Sequence, residues 1–106
     1  MSTIVRDNEN ENRYEIVVDD RVAGFVTYEI DDGRITTPHT EVDDAYAGQG
    51  LGKQLVTGVL ADVEERGLDL VPTCPYVQKV ISDDAERYLH LVPGDVQASL
   101  GLANDA

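Results

Sequence analysis

Gly48-Gln49-Gly50-Leu51-Gly52-Lys53 is the stretch that decides how the rest of the chain is read. Three alternate glycines at the junction of a strand and a helix serve no apolar packing purpose. They let the backbone come close to a ligand and leave the first-turn amides of the helix pointing outward. The helix dipole adds partial positive charge, so the site favours phosphate, and Lys53 can add one cationic contact. Spacing excludes two familiar phosphate motifs. A P-loop needs Gly-x-x-x-x-Gly-Lys-Ser/Thr, but its first glycine position holds Ala47 and its last position Gln54. The dinucleotide fingerprint needs a third glycine where Lys53 stands, within a parallel βαβ unit.

Toward the N-terminus the pattern is antiparallel. Tyr14, Ile16 and Val18 alternate with Glu15, Val17 and Asp19 as in a strand. Asp19-Asp20 signals a turn, and Val22–Ile30 is a second strand rich in β-formers. Asp31-Asp32-Gly33 signals a hairpin, because Asp-Gly tolerates the positive φ of tight turns. A third strand runs from Arg34 to Val42, with Pro38 placing it at an edge or breaking it at a bulge.

Toward the C-terminus the period becomes helical. Leu51, Leu55, Val56, Val59, Leu60 and Val63 share one face, and Gly67 supplies the stop. Leu68–Val71 is a short strand closed by Pro72. Residues 75–91 read as helix with a break near Ser82-Asp83-Asp84. The expected class is α+β: an antiparallel meander, a glycine-loop helix, a further strand and a C-terminal helix. Residues 1–12 are expected as a polar lead-in, 13–92 as the domain, and 93–106 as a tail with room for a short helix from Asp95.

The chain of 106 residues carries 21 Asp plus Glu against 8 Lys plus Arg, a net charge of −13. Such a field repels phosphate backbones and anionic lipid, so nucleic-acid and membrane-surface roles are not expected. The plain reading is that the acid keeps the surface hydrated; the alternative is a field that draws in a cationic substrate. The single cysteine, Cys74, cannot form an internal disulfide, and with His39 and His90 it falls short of a zinc cluster. No metal is expected. No apolar leader or membrane span is evident, and the expected location is the cytoplasm.

Three motifs in order, His39-Thr40-Glu41-Val42, Gly48-Gln49-Gly50-Leu51-Gly52 and Pro72-Thr73-Cys74-Pro75, resemble the very small, single-unit members of the GNAT acetyltransferases. The likeness covers roughly Tyr14 to Val92. It implies acetyl-CoA as co-substrate, with the amides of Gln49 to Lys53 on the pyrophosphate and pantetheine along the edge of Thr40–Val42. The general family loop begins with Arg or Gln where this chain has Ala47. The helices that usually wall the acceptor site are missing, since only Asp19-Asp20-Arg21 separates the first two strands.

Amine attack on a thioester needs a neutral amine, an oxyanion partner and a proton for the departing thiolate. Glu41 is a candidate base, directly or through water; the alternative is a solvated carboxylate. His39 shares strand parity with Glu41 and titrates near neutrality; the alternative is a structural histidine beside Pro38. Cys74 is a candidate nucleophile, proton donor or small buried residue, and little in the local sequence would lower its pKa. Tyr76 and Tyr88 are candidate acids, Tyr46 is expected at the loop mouth, and His90 on the helix surface. Three functions are in view: transfer of an acetyl group to a primary amine, acyl-CoA binding without turnover, and an interaction domain that keeps only the fold.

Overall fold

The computed structural model describes residues 2–102, so residues 103–106 of the expected tail lie outside the described residues. Along the chain come β1 (Thr3–Asn8), β2 (Arg13–Val18), β3 (Arg21–Thr27), β4 (Glu29–Asp31), β5 (Arg34–Thr36), β6 (Thr40–Val42), α1 (Leu51–Arg66), β7 (Asp69–Val71), α2 (Pro75–Asp83), α3 (Ala85–Tyr88) and α4 (Gly94–Leu100). Strands β1-β2-β3-β6 form one antiparallel sheet. Strands β4-β5-β7 form another, in which β5 and β7 run parallel.

The expected lead-in is instead an edge strand. Residues Thr3 to Asn8 pair with β2 from Thr3↔Val18 to Asn8↔Arg13. An edge strand needs only one apolar anchor, and Val5 supplies it. Gly58 of α1 makes room for that anchor: a β-carbon there would stand 3.0 Å from Val5. Ile4 and Val5 are adjacent rather than alternate, and the polar run that follows them carries no alternation to read.

Two strands expected to be continuous change sheets midway. The second breaks at Tyr28, whose amide donates to the Asn12 carbonyl at 2.9 Å and whose hydroxyl donates to Asp7 at 2.6 Å. The third breaks at Pro38, which has no amide to donate. On one side of it the Thr37 amide still bonds Val71 of β7 at 3.1 Å. On the other side the His39 carbonyl accepts from Thr27 of β3 at 2.9 Å. Beyond Pro38, β6 therefore diverges from β7, and the two sheets open like a wedge.

Helix α1 covers the inner face of the four-stranded sheet. Its Leu51, Leu55, Val56, Val59, Leu60 and Val63 are buried against Tyr14, Ile16, Val18 and Val26, each contributing about 1.5–3 kcal/mol of apolar burial. The helix ends at Gly67 in the left-handed region (φ 68°). A polar knot pins its last turns to the sheet: Tyr14 donates to Asp62, and Arg66 reaches Asp7 at 3.1 Å. The outer face is open to solvent at Ile4, Val22 and Glu41. Across it, Arg6, Glu15, Phe25 and Glu41 stand in a single row through all four strands.

The remaining expectations for α1, β7 and the interrupted helix of residues 75–91 agree with the structure. The tail contains α4, whose Val96 is buried.

Candidate functional site

A cleft of about 460 Å³ opens where the wedge meets the N-terminus of α1. Thr40 and Val42 of β6, the loop from Asp43 to Gly50, the first turn of α1 and Tyr76 of α2 form its walls. Gly48 and Gly50 both have positive φ, 80° and 72°, and a β-carbon on either would meet nothing within 4 Å. The loop thus needs glycine for its backbone path and leaves open space above it. Gly50 caps α1 without any side-chain hydrogen bond, and the first helical bond runs from Gln54 N–H to the Gly50 carbonyl at 3.2 Å. The amides of Leu51, Gly52 and Lys53 consequently have no acceptor within the helix. This cradle fits a pyrophosphate.

The glycine-loop residues divide in their roles. The Leu51 side chain belongs to the core, so its amide is the group it can offer a ligand. Gln49 and Lys53 are exposed at the loop rather than in the cleft wall. Among the described residues no arginine or lysine lines the cleft, whereas Asp43 and Asp44 do. Asp43 is partly engaged, accepting from the Ala45 amide at 2.9 Å.

Strand β6 is a partition three residues wide. Thr40 pairs with the buried Val26 and faces the cleft. Glu41 pairs with Phe25 and faces the open side of the sheet. His39 joins Glu41 there, with Nε2 and Oε1 3.3 Å apart and the imidazole 6.1 Å from the Phe25 ring. The two candidate bases are brought together, on the face opposite the glycine cradle.

Cys74 is buried at the N-cap of α2, and its thiol donates to the Thr40 hydroxyl at 3.4 Å. Contrary to the reading of the local sequence, its pKa lies below the ordinary thiol value. Burial pushes it up, but the Thr40 hydroxyl and the amides of Val77 and Tyr76 together outweigh that penalty. The local sequence around Cys74 does not show this contact, because Thr40 is distant in the chain and becomes adjacent only after the strand breaks at Pro38.

Tyr46 and Tyr76 both line the cleft. Tyr88 lies outside its walls, stacked beneath the Arg87 guanidinium at 5.5 Å. His90 is at the surface, 3.2 Å from Glu64. Sequence reasoning missed Asp43 and Asp44, which follow the strand directly, and Arg13 and Phe25. Pairing across β2, β3 and β6 reveals the last two, and single-strand alternation does not.

A model described as GCN5-related N-acetyl-transferase matches residues 13–91. Protein NATD1 of Gallus gallus is 44% identical over 57 residues, 52% of this chain and 52% of that protein. Protein NATD1 of Homo sapiens is 44% identical over 46 residues, 43% of this chain and 41% of that one. The chain spans about half the length of the curated relatives it matches. The solution structure of a GCN5-like N-acetyltransferase of Staphylococcus aureus is similar over 86% of this chain and 88% of that one, at 25% identity and a TM-score of 0.63. A GNAT-family N-acetyltransferase of Escherichia coli, solved in complex with CoA, is 28% identical over 57% of this chain and 38% of that one, with a TM-score of 0.50.

Proposed function

Because the chain belongs to the GCN5-related N-acetyltransferase family, we propose that it holds acetyl-CoA in the cleft beside Gly48–Lys53 and transfers the acetyl group to a primary amine. The amine approaches from the open face of β6. The partition made by β6 carries this reading: the phosphate cradle and Thr40 are on one side, and the His39–Glu41 pair is on the other. The wedge between β6 and β7 is the passage between them.

When bound, acetyl-CoA supplies an activated acyl carbon. The chain's own residues do the remainder. Free amides of α1 hold the pyrophosphate, and the edge of Thr40–Val42 aligns the pantetheine arm. Glu41, with His39 Nε2 3.3 Å from its carboxylate, takes the proton that the amine loses as its nitrogen bonds the carbonyl carbon. As the carbon–sulfur bond breaks, the thiolate takes a proton from Tyr76, which lines the cleft, or from the buried Cys74 at the N-cap of α2.

The test has two arms. Gly50→Val forces a β-branched residue into positive φ and fills the space above the loop, so it should remove the thermal stabilisation given by acetyl-CoA. Glu41→Gln and His39→Ala should each lower thiol release by about 10²–10⁴-fold while acetyl-CoA affinity stays within a few-fold. Ligand stabilisation without thiol release for any amine would instead support an acyl-CoA-binding module.

A further inference from the structure

The open face of the sheet holds a second cleft whose walls carry opposite charges. Phe25 forms its floor with Gly24 and Val22, and Glu41 and Asp43 form one wall. Arg13 lies over the floor, its guanidinium carbon 4.6 Å above the Phe25 ring. Arg13 is held through one nitrogen only: Nε donates to Glu15 at 2.8 Å. Arg6 and Asn8 occupy the rest of that carboxylate, at 3.0 and 3.1 Å. Among the described residues, neither Nη group of Arg13 has an acceptor. Two arginines thus share one carboxylate at this end of the cleft, while Glu41 and Asp43 carry the negative charge at the other.

A guanidinium with both terminal nitrogens free presents parallel N–H donors that match a carboxylate in bidentate fashion. Ring stacking on Phe25 and partial burial, with 29% of the side chain exposed, limit competition from water. Across the same cleft stands Glu41, already positioned beside His39. A simple alkylamine would satisfy only the acidic wall, and an anion only the basic one.

We propose that this cleft receives the acceptor, and that the acceptor is a small amino acid: an amine at Glu41 and Asp43 with its carboxylate on the Nη groups of Arg13. The direction of the amine rests on the acetyl-transfer reading above. The cleft's preference for a molecule bearing both charges does not.

The experiment is a ladder of glycine, β-alanine, 4-aminobutanoate and 6-aminohexanoate, each matched with the alkylamine lacking its carboxylate. Binding is read from nitrogen-15 amide shifts of Phe25, Glu41 and Asp43 with CoA present, and turnover from thiol release with acetyl-CoA. At least one amino acid should bind about tenfold or more tightly than its matched amine. Arg13→Gln should abolish that difference and Arg13→Lys should keep part of it. A melting curve checks that Glu15, still held by Arg6 and Asn8, supports the fold. Should Arg13→Gln not fold, Asp43→Asn is the second variant, and it should weaken the amino acid and the amine alike.

Equal binding of matched pairs, or a preference that survives Arg13→Gln, overturns the proposal. Thiol release with alkylamines that show no such preference also sinks the amino-acid assignment while acetyl transfer stands. Tight amino-acid binding without thiol release supports the cleft and removes the transfer reading instead.

Discussion

The hydroxyl of Tyr76 lies 2.9 Å from where a β-carbon on Gly52 would stand. The third glycine of the loop is thus accounted for by a side chain of α2, whereas Gly48 and Gly50 face open space. Tyr76 closes over the first turn of α1 because Gly52 has nothing there to keep it away.

Gly52→Ala should therefore displace Tyr76 rather than block the loop directly. The added carbon meets the far end of a tyrosine, which can rotate outward, so stability should change by no more than about 1 kcal/mol. Acetyl-CoA affinity should fall several-fold as the Tyr76 wall moves, and Gly52→Ala combined with Tyr76→Phe should recover part of it. Calorimetric titration checks both, and unchanged affinity in Gly52→Ala would show that Tyr76 does not shape the occupied cleft.

A second expectation concerns Cys74. With its pKa held down by Thr40 and the first amides of α2, the thiol should react with iodoacetamide along a pH profile centred below that of a free cysteine peptide. Thr40→Val removes the hydroxyl and should move the profile to higher pH. Burial should keep the absolute rate slow, and acetyl-CoA alone should leave no acetyl adduct that Cys74→Ala eliminates. Rapid formation of such an adduct would make Cys74 a covalent relay.

How far the sequence could be read depended on where each signal was stored. Alternation at Tyr14–Val18, the helical spacing from Leu51 to Val63 and the glycine loop are local, and each predicted its element. The sheet change at Pro38 was half legible: proline announced a break, but only pairing with Thr27 and Val71 shows that the two halves enter different sheets. The strand Thr3–Asn8 was not legible because its stability is stored in β2 and Gly58. The same holds for the site. Thr40, Glu41 and the loop were singled out from motif order, whereas the Arg13–Phe25–Glu41 cleft needs three strands in register.

The charge of the cleft beside Gly48 and Gly50 leads to a third expectation. Asp43 and Asp44 line it, and no arginine or lysine does among the described residues, so an anionic ligand meets like charge on approach. Screening shortens that repulsion from roughly 10 Å at 0.1 M salt to about 3 Å at 1 M. Amide hydrogen bonds at the loop are short-ranged and should survive. Acetyl-CoA affinity should accordingly rise several-fold between low and high potassium chloride, and Asp44→Asn should reproduce part of the gain at low salt. A decrease with salt would mean that Lys53 dominates the field.

The last expectation is a pH dependence centred on Glu15, which is 1% exposed on the outer sheet face. Burial pushes its carboxyl up, but Arg13, Asn8 and Arg6 outweigh that penalty and hold it below the usual carboxylate range. A carboxyl whose pKa is lower in the folded than in the unfolded chain contributes stability above its unfolded value, about 4.3 for glutamate. The contribution fades as pH falls through the folded value. Glu15→Gln keeps the shape but offers the two arginines a neutral acceptor, so it should cost about 1–3 kcal/mol at pH 7. Urea titrations at descending pH should show wild type and variant beginning to converge below the unfolded value, where the unfolded carboxyl takes up its proton, and meeting once the native carboxyl has done so as well. An offset that stays constant down to pH 3 would show that Glu15 acts through packing, with its charge contributing nothing.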